Sequence, residues 1–342
     1  MLENPIEQEI AMAPVVQGTR MPSRGGHATV TVIVCTRNRH RELESCLAGL
    51  ARQSFRAFDV LVVDNGSSPP VADICARWGA RYALEPTAGL CIARNTGARL
   101  ATGEVVAYID DDAVPDDAWI DKLLQGLADP SIAAVTGGIR HMKSKGDSRE
   151  MTQLEAQEAA AGRPRGVFDR EFGNWFALAT LGGVGDGGNM AFRRKTLLAS
   201  PGFDNRLGRG RLLDGGDEHV AFMSLLALGH RIAHVPDAVV RHPFPCTPEG
   251  VCASATHNRR TSVAYLLFLW NEFPAHRGDI LRHLCGAVAK RLQPSPAIVA
   301  GTPGLTYAQA FQAALAGVSL YFSARREWKT IPAPDYRGLA VA

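Results

Sequence analysis

The sequence lacks any paired cysteine motif: its seven cysteines are scattered singly over 342 residues, with no CxxC and no even framework. That excludes a ribbon-type zinc site and a disulfide scaffold, and predicts free thiols in a reducing cytoplasm. No apolar run is long enough to span a bilayer. The longest, Val263 to Trp270, falls far short of the roughly 20 residues such a helix needs. The opening stretch MLENPIEQEIAMAP carries Glu and Pro where a secretory signal needs a basic start and an apolar core, so no targeting peptide is expected. An excess of one charge is missing too. Lys and Arg number 37 against 34 Asp and Glu, and the net +3 gives no electrostatic reason to expect nucleic acid. Neither GxxxxGK(S/T) nor GxGxxG follows the first apolar run, which argues against P-loop ATPases and dinucleotide-dependent dehydrogenases.

What is present describes an ordinary globular chain, 46% hydrophobic and 21% charged. Arg far outnumbers Lys and Ala is abundant, a composition typical of GC-rich bacterial genomes. Residues 1–28 are polar and without periodicity and read as a loose tail. The runs Val30 to Cys35, Val60 to Val63 and Val105 to Ile109 are short, β-branched and almost wholly apolar. Such runs suit parallel strands covered on both faces. Helical stretches separate them: Arg41 to Gln53, Val71 to Trp78 and Leu90 to Ala101. This alternation predicts an α/β domain, a doubly wound, mostly parallel central sheet flanked by helices, with ligands at the carboxyl ends of the strands.

Polar residues fall at those ends. The first strand runs into Thr36-Arg37-Asn38-Arg39, the second into Asp64-Asn65-Gly66-Ser67, the third into Asp110-Asp111-Asp112. Any one could be a turn or a helix cap; three together predict a nucleotide site. Carboxylates cannot directly approach a pyrophosphate of their own sign, so a divalent cation is expected between them. Hard oxygen ligands suit Mn2+ or Mg2+. Alternation past a strand sets Asp110 and Asp112 on one side and Asp111 elsewhere.

Beyond Asp112, Asp117 to Leu127 reads as an amphipathic helix, and Ala133 to Ile139 and Asn189 to Arg193 as strands. Residues 143–186 read as irregular and partly helical. Asp217 to Leu228 is helical and closed by Gly229, and His230 to Val235 and Ala238 to Val240 are strand-like. From about residue 253 the chain turns helical, with a Pro-rich break at 294–303.

VTVIVCTRNR, VLVVDNGSS and GLCIARNTGARLATGEVVAYIDDDAVPDDAWI, in this order, resemble the nucleotide-binding half of an inverting family 2 glycosyltransferase of the GT-A fold. VTGG, GGNMAFRR, GFDNRLGRG and GGDEHVAFMSLLALGHRIAHVPDAVVRH resemble its acceptor half. The resemblance implies a donor-binding half at 29–112, an acceptor-binding and catalytic half at 113–245, and a mainly helical region at 246–342. It implies that Thr36 and Arg37 line the nucleotide pocket, that Asp64 hydrogen-bonds the base, and that Arg94 and Asp111 lie by the donor. Asp112 becomes the principal metal ligand, with Asp110 on ribose or metal and His242 completing the metal site. Plain packing is the alternative for His242, and a surface position on its helix for Arg94. Gly188 and Asn189 fall on the acceptor side, where a tight turn is the alternative.

The family usually writes Glu-Asp before the helix that carries its catalytic base, whereas this chain has Asp217-Glu218. Register with Gly229 puts Glu218 at the base position and Asp217 beside it, with helix capping as the alternative for both. The expected reaction is sugar transfer with inversion from a nucleotide-diphosphate donor to a hydroxyl of a saccharide, a lipid-linked acceptor or a small natural product. A non-catalytic sugar-nucleotide-binding partner subunit and a sugar-phosphate nucleotidyltransferase are the competing readings. Residues 262–292, with Leu266, Leu267, Leu269 and Trp270 followed by Arg277, Arg282, Lys290 and Arg291, suggest a peripheral contact with a membrane, with packing on the catalytic domain or on a partner subunit as the favoured alternative.

Overall fold

The structure, a computed structural model, describes residues 29–142, 163–243, 248–291, 305–336 and 339. Its elements in chain order begin with β1 (Val30–Thr36), α1 (His40–Ala51), β2 (Phe58–Asp64), α2 (Ala72–Trp78), β3 (Arg81–Leu84), α3 (Leu90–Leu100) and β4 (Val105–Ile109). There follow β5 (Val114–Pro115), α4 (Trp119–Gly126), β6 (Ile132–Met142), β7 (Gly166–Phe168), α5 (Trp175–Thr180), β8 (Asn189–Arg193) and α6 (Arg194–Ala199). The last are α7 (Asp217–Ala227), β9 (Arg231–Pro243), α8 (Pro248–Glu272), α9 (Arg277–Arg291) and α10 (Tyr307–Glu327).

The central strands form because neither face of them meets water. In β1, β2 and β4, Ile33, Leu61, Val63, Val106 and Tyr108 enter one apolar cluster, while Val32, Val34, Val60, Val62, Ala107 and Ile109 enter another across the sheet. Parallel strands covered on both sides need side chains of this kind at every position. Gly97 lets α3 approach closely, since a Cβ there would lie 2.6 Å from Ile33.

The sheet runs β3-β2-β1-β4-β8-β6-β9-β5, with β7 added alongside β9. The first four strands are parallel, β8 is antiparallel to both β4 and β6, and β6 pairs parallel with β9. Residues 29–112 and 113–245 therefore share one mixed sheet and both cores. The two strand-like runs near residue 235 are a single strand, β9. Its pairing with β6 slips between Gly137 and Gly138, so Pro236-Asp237-Ala238 bulges out. A side chain on Gly137 would collide with the Ala238 carbonyl at 2.2 Å. The sequence reading missed β3, an edge strand with one buried residue in four.

The apolar residues of α8 take the packing alternative and lie against the domain's own core. Phe268 and Leu269 of α8 are fully buried, and Leu266, Leu267 and Trp270 pack against the same core. Leu281 and Leu284 of α9 are exposed, and a longer exposed apolar row runs along one face of α10: Tyr307, Phe311, Leu315, Val318 and Phe322. Among the described residues no helix is long and apolar enough to cross a membrane.

Candidate functional site

The carboxyl ends of β1 and β4 open onto a cleft of about 1360 Å³, also lined by the loop before β8, the start of α7 and the middle of α8. Thr36, Arg37, Arg94, Asp110, Asp111, Gly188, Asp217, Glu218 and His242 all line it.

The chain leaves the sheet at Ile109, so the three aspartates sit on a turn and not on a strand. The turn still separates them. Asp111 accepts from the Thr36 hydroxyl at 2.7 Å and from Arg39 at 3.0 Å. Burial pushes it up to about 6 against the pull of both partners. Asp110 and Asp112 converge with His242, ligand atoms of all three lying within 4.8 Å of one another. His242 comes from the carboxyl end of β9, beyond the bulge, and its Nε2 lies 3.0 Å from Asp112 and 3.7 Å from Asp110. Its Nδ1 is 2.8 Å from the Pro243 carbonyl, which only a protonated Nδ1 can bond. In the neutral ring that leaves the Nε2 lone pair aimed at the carboxylates, the tautomer a metal ligand needs.

Asp112 Oδ1 is buried and has no donor aligned on it among the described residues, although His242 Nε2 is close. A buried carboxylate oxygen without a donor beside a second carboxylate and an imidazole fits a divalent cation, and two oxygens with one nitrogen suit Mn2+ or Mg2+. When His242 is protonated instead, Asp112 raises its pKa, and burial of Asp112 is outweighed by that imidazolium and then by Arg39, 2.8 Å away, which hold the carboxyl below the usual range.

Arg94 ties this end of the cleft to the other. It is buried, with a short ion pair to Asp217, a hydrogen bond to the Gly187 carbonyl at 3.0 Å and Asp110 at 3.7 Å. Burial opposes its charge, yet Asp217 and Asp110 outweigh that and hold it firmly protonated. Asp217 is pushed up to about 6 by burial and by its neighbour Glu218, with Arg94 pulling the other way. Glu218 stays at the cleft wall, accepting from the Gly187 amide at 3.3 Å. Two glycines make room for this: a Cβ on Gly187 would crowd Arg94 at 2.9 Å, and one on Gly188 would meet Asp110 at 2.7 Å.

Two expected site residues face away. Asp64 is fully buried and accepts from the amides of Ser67 and Val71 and from the Tyr82 hydroxyl, so it anchors its loop while Asn65 lines the cleft. Asn189 is also fully buried. Its amide donates to the carbonyls of Gly138 and Ala238 and its oxygen accepts from Trp119, pinning the bulge in β9. Arg39, which neutralises Asp111 and Asp112, was not singled out from the sequence, although it stands in the same TRNR segment as Thr36 and Arg37.

Comparison with known proteins bears on the family and the fold. The sequence model of glycosyl transferase family 2 matches residues 31–198. The pre-mycofactocin glycosyltransferase of Mycobacterium tuberculosis is 33% identical over 130 residues, which are 37% of this chain and 27% of that protein. The glucosyl-dolichyl phosphate glucuronosyltransferase of Haloferax volcanii is 25% identical over 207 residues, 56% of this chain and 59% of that protein. The chain thus spans between about a quarter and three-fifths of the length of these relatives. Among solved structures, the mannosyltransferase PcManGT of Pyrobaculum calidifontis, in complex with GDP-Man and Mn2+, superposes with a TM-score of 0.52 at 21% identity, covering 94% of this chain and 88% of that one. This likeness is one of fold.

Proposed function

Residues 31–198 are a family 2 glycosyltransferase domain of GT-A fold, and from that premise we propose that the protein moves a sugar from a nucleotide-diphosphate donor to an acceptor hydroxyl, with inversion at the anomeric carbon. One observation carries the reading: Asp110 and His242, which with the buried Asp112 form a metal-competent trio, and a carboxylate, Glu218, line a single cleft on either side of the buried Arg94.

Thr36, Arg37 and Asn65 belong to the donor end, with Asp64 acting behind Asn65 to hold the loop. Asp110, Asp112 and His242 would hold Mn2+ or Mg2+, which offsets the charge of the donor diphosphate and of the diphosphate that leaves. Glu218 accepts the proton of the acceptor hydroxyl as that oxygen bonds to the anomeric carbon, and the bond from that carbon to the diphosphate oxygen breaks on the opposite face. Asp217 is committed to Arg94 and keeps that guanidinium in place. The exchanged order of the acidic pair thus leaves a carboxylate at the cleft wall, which favours an enzyme over a purely binding partner subunit.

The test is hydrolysis of UDP-, GDP- and dTDP-sugars without acceptor, with Mn2+ or with chelator. One donor is expected to be cleaved in a metal-dependent manner. Equal rates with metal and with chelator, or no cleavage of any donor, would overturn the proposal.

A further inference from the structure

Beside Glu218 two polar atoms are buried against the cleft with nothing to bind. The hydroxyl of Tyr265, on α8, has no hydrogen-bond partner among the described residues, and neither has Nε2 of His219, the residue that follows Glu218 on α7. Both residues nevertheless line the cleft. Native proteins seldom leave buried polar atoms unpaired, and those that remain ask for a ligand or a functional reason.

Both rings are held where they are. Tyr265 is 6% exposed, stacks on Phe268 and covers the turn at Gly216, whose φ is +82° and where a Cβ would run into the ring at 2.2 Å. His219 faces Gly182, a second residue with positive φ, and a Cβ there would sit 3.6 Å from Nε2. Nε2 is 3.8 Å from Glu218 Oε1, too far for a hydrogen bond, and the two rings are 6.2 Å apart. The adjoining wall of α8 is polar and ordered: Thr261 and His257 each reach Asp214 at 3.2 Å.

The Tyr265 phenol and the His219 imidazole nitrogen thus add two hydrogen-bonding groups to the stretch of cleft wall that carries the Glu218 carboxylate. A lone serine or phenol hydroxyl would occupy the carboxylate and leave the other two groups unpaired. A sugar ring carries hydroxyls on adjacent carbons and answers all three at once. We infer that Tyr265 and His219 form an acceptor subsite and that the acceptor is a saccharide, whose reacting hydroxyl lies on Glu218 and whose neighbouring hydroxyl is bound by Tyr265 Oη and His219 Nε2. The inference rests on Glu218 being the base of the proposed reaction.

The experiment uses the full chain, Mn2+ and the donor cleaved fastest in the hydrolysis panel. The acceptors are methyl glycosides of glucose, galactose, mannose and N-acetylglucosamine, with a serine-containing peptide and a simple phenol for contrast. At least one glycoside should accept sugar. Tyr265→Phe, which keeps the stacked ring, and His219→Ala should each raise the KM for that glycoside about tenfold, the worth of one hydrogen bond. His219→Gln should recover part of the loss. Tyr265→Phe should also lose the preference of the wild type for the glycoside over the analogue lacking the neighbouring hydroxyl, while donor affinity read by thermal shift stays within twofold. An unchanged acceptor KM, a preserved preference against the deoxy analogue, or transfer to the peptide or phenol alone would overturn the inference and leave the donor reading standing. If the wild type cleaves no donor, the proposed function falls and the subsite falls with it.

Discussion

The guanidinium of Arg94 and the carboxylate of Asp217 are paired inside the protein, although 123 positions separate them in the chain. The pair joins α3, the helix that follows β3, to α7, the helix that carries the candidate base. Asp217 is thereby committed, and Glu218 is left facing the cleft.

Breaking that pair should cost stability before anything else. Arg94→Ala or Asp217→Asn leaves a buried charge without its partner, a loss of about 3–5 kcal/mol. The double variant should be less unstable than the sum of the singles, because its sites share one interaction. Urea denaturation of the four proteins measures this, and additive losses would mean that the pair is not coupled.

Glu218→Gln preserves size and removes the base. Transfer should fall by about 10²–10⁴-fold, the usual contribution of general base catalysis. The nucleotide-dependent rise in melting temperature with Mn2+ should persist. Transfer at near the wild-type rate would remove Glu218 from the chemistry.

Asp112→Asn should abolish the Mn2+-dependent part of nucleotide binding and leave the fold intact, since the residue stands on a turn past the sheet. A nucleotide at a hundred times its Kd stabilises the wild type by about 2.7 kcal/mol. In the variant this gain should be the same with Mn2+ as with chelator. A retained metal-dependent gain would place the ion elsewhere.

His234 makes a pH prediction. The Thr136 hydroxyl donates to the Val184 carbonyl, so His234 Nδ1, 2.9 Å away, must be the donor in their contact. Burial, then Arg163, lowers its pKa to about 4 from an ordinary 6.5. As pH falls below 6.5 the unfolded chain binds a proton that the folded one refuses, and stability is lost until about pH 4, by about 3 kcal/mol in all. Asp111 and Asp217, raised to about 6, act in the opposite sense over much of the same range, so the comparison must be with a variant. His234→Gln should lose less stability than the wild type between pH 7 and pH 4.5. Parallel curves would show that His234 titrates normally.

The sequence by itself determined where the sheet and its polar ends lie. Val30 to Cys35, Val60 to Val63 and Val105 to Ile109 are short, β-branched and apolar at nearly every position, the pattern of a strand covered on both faces. The aspartates after Ile109 and the acidic start of α7 were legible for the same reason, as polar residues directly abutting buried elements. Tertiary structure alone decided which of those residues face the cleft. Asp64 and Asn65 are adjacent and equally polar, and what turns Asp64 inward is a set of donors from Ser67, Val71 and Tyr82, the last brought in by an edge strand the pattern did not reveal. Asn189 is drawn into the sheet by carbonyls freed at the bulge. Arg94 reads equally as a donor-side or a surface residue of its helix until the fold sets Asp217 against it, and His242 reaches Asp112 because β5, just past that residue, pairs antiparallel with β9, Val114 opposite Arg241. Local pattern records burial, whereas the partner of a buried polar group is fixed by chain segments far away in sequence.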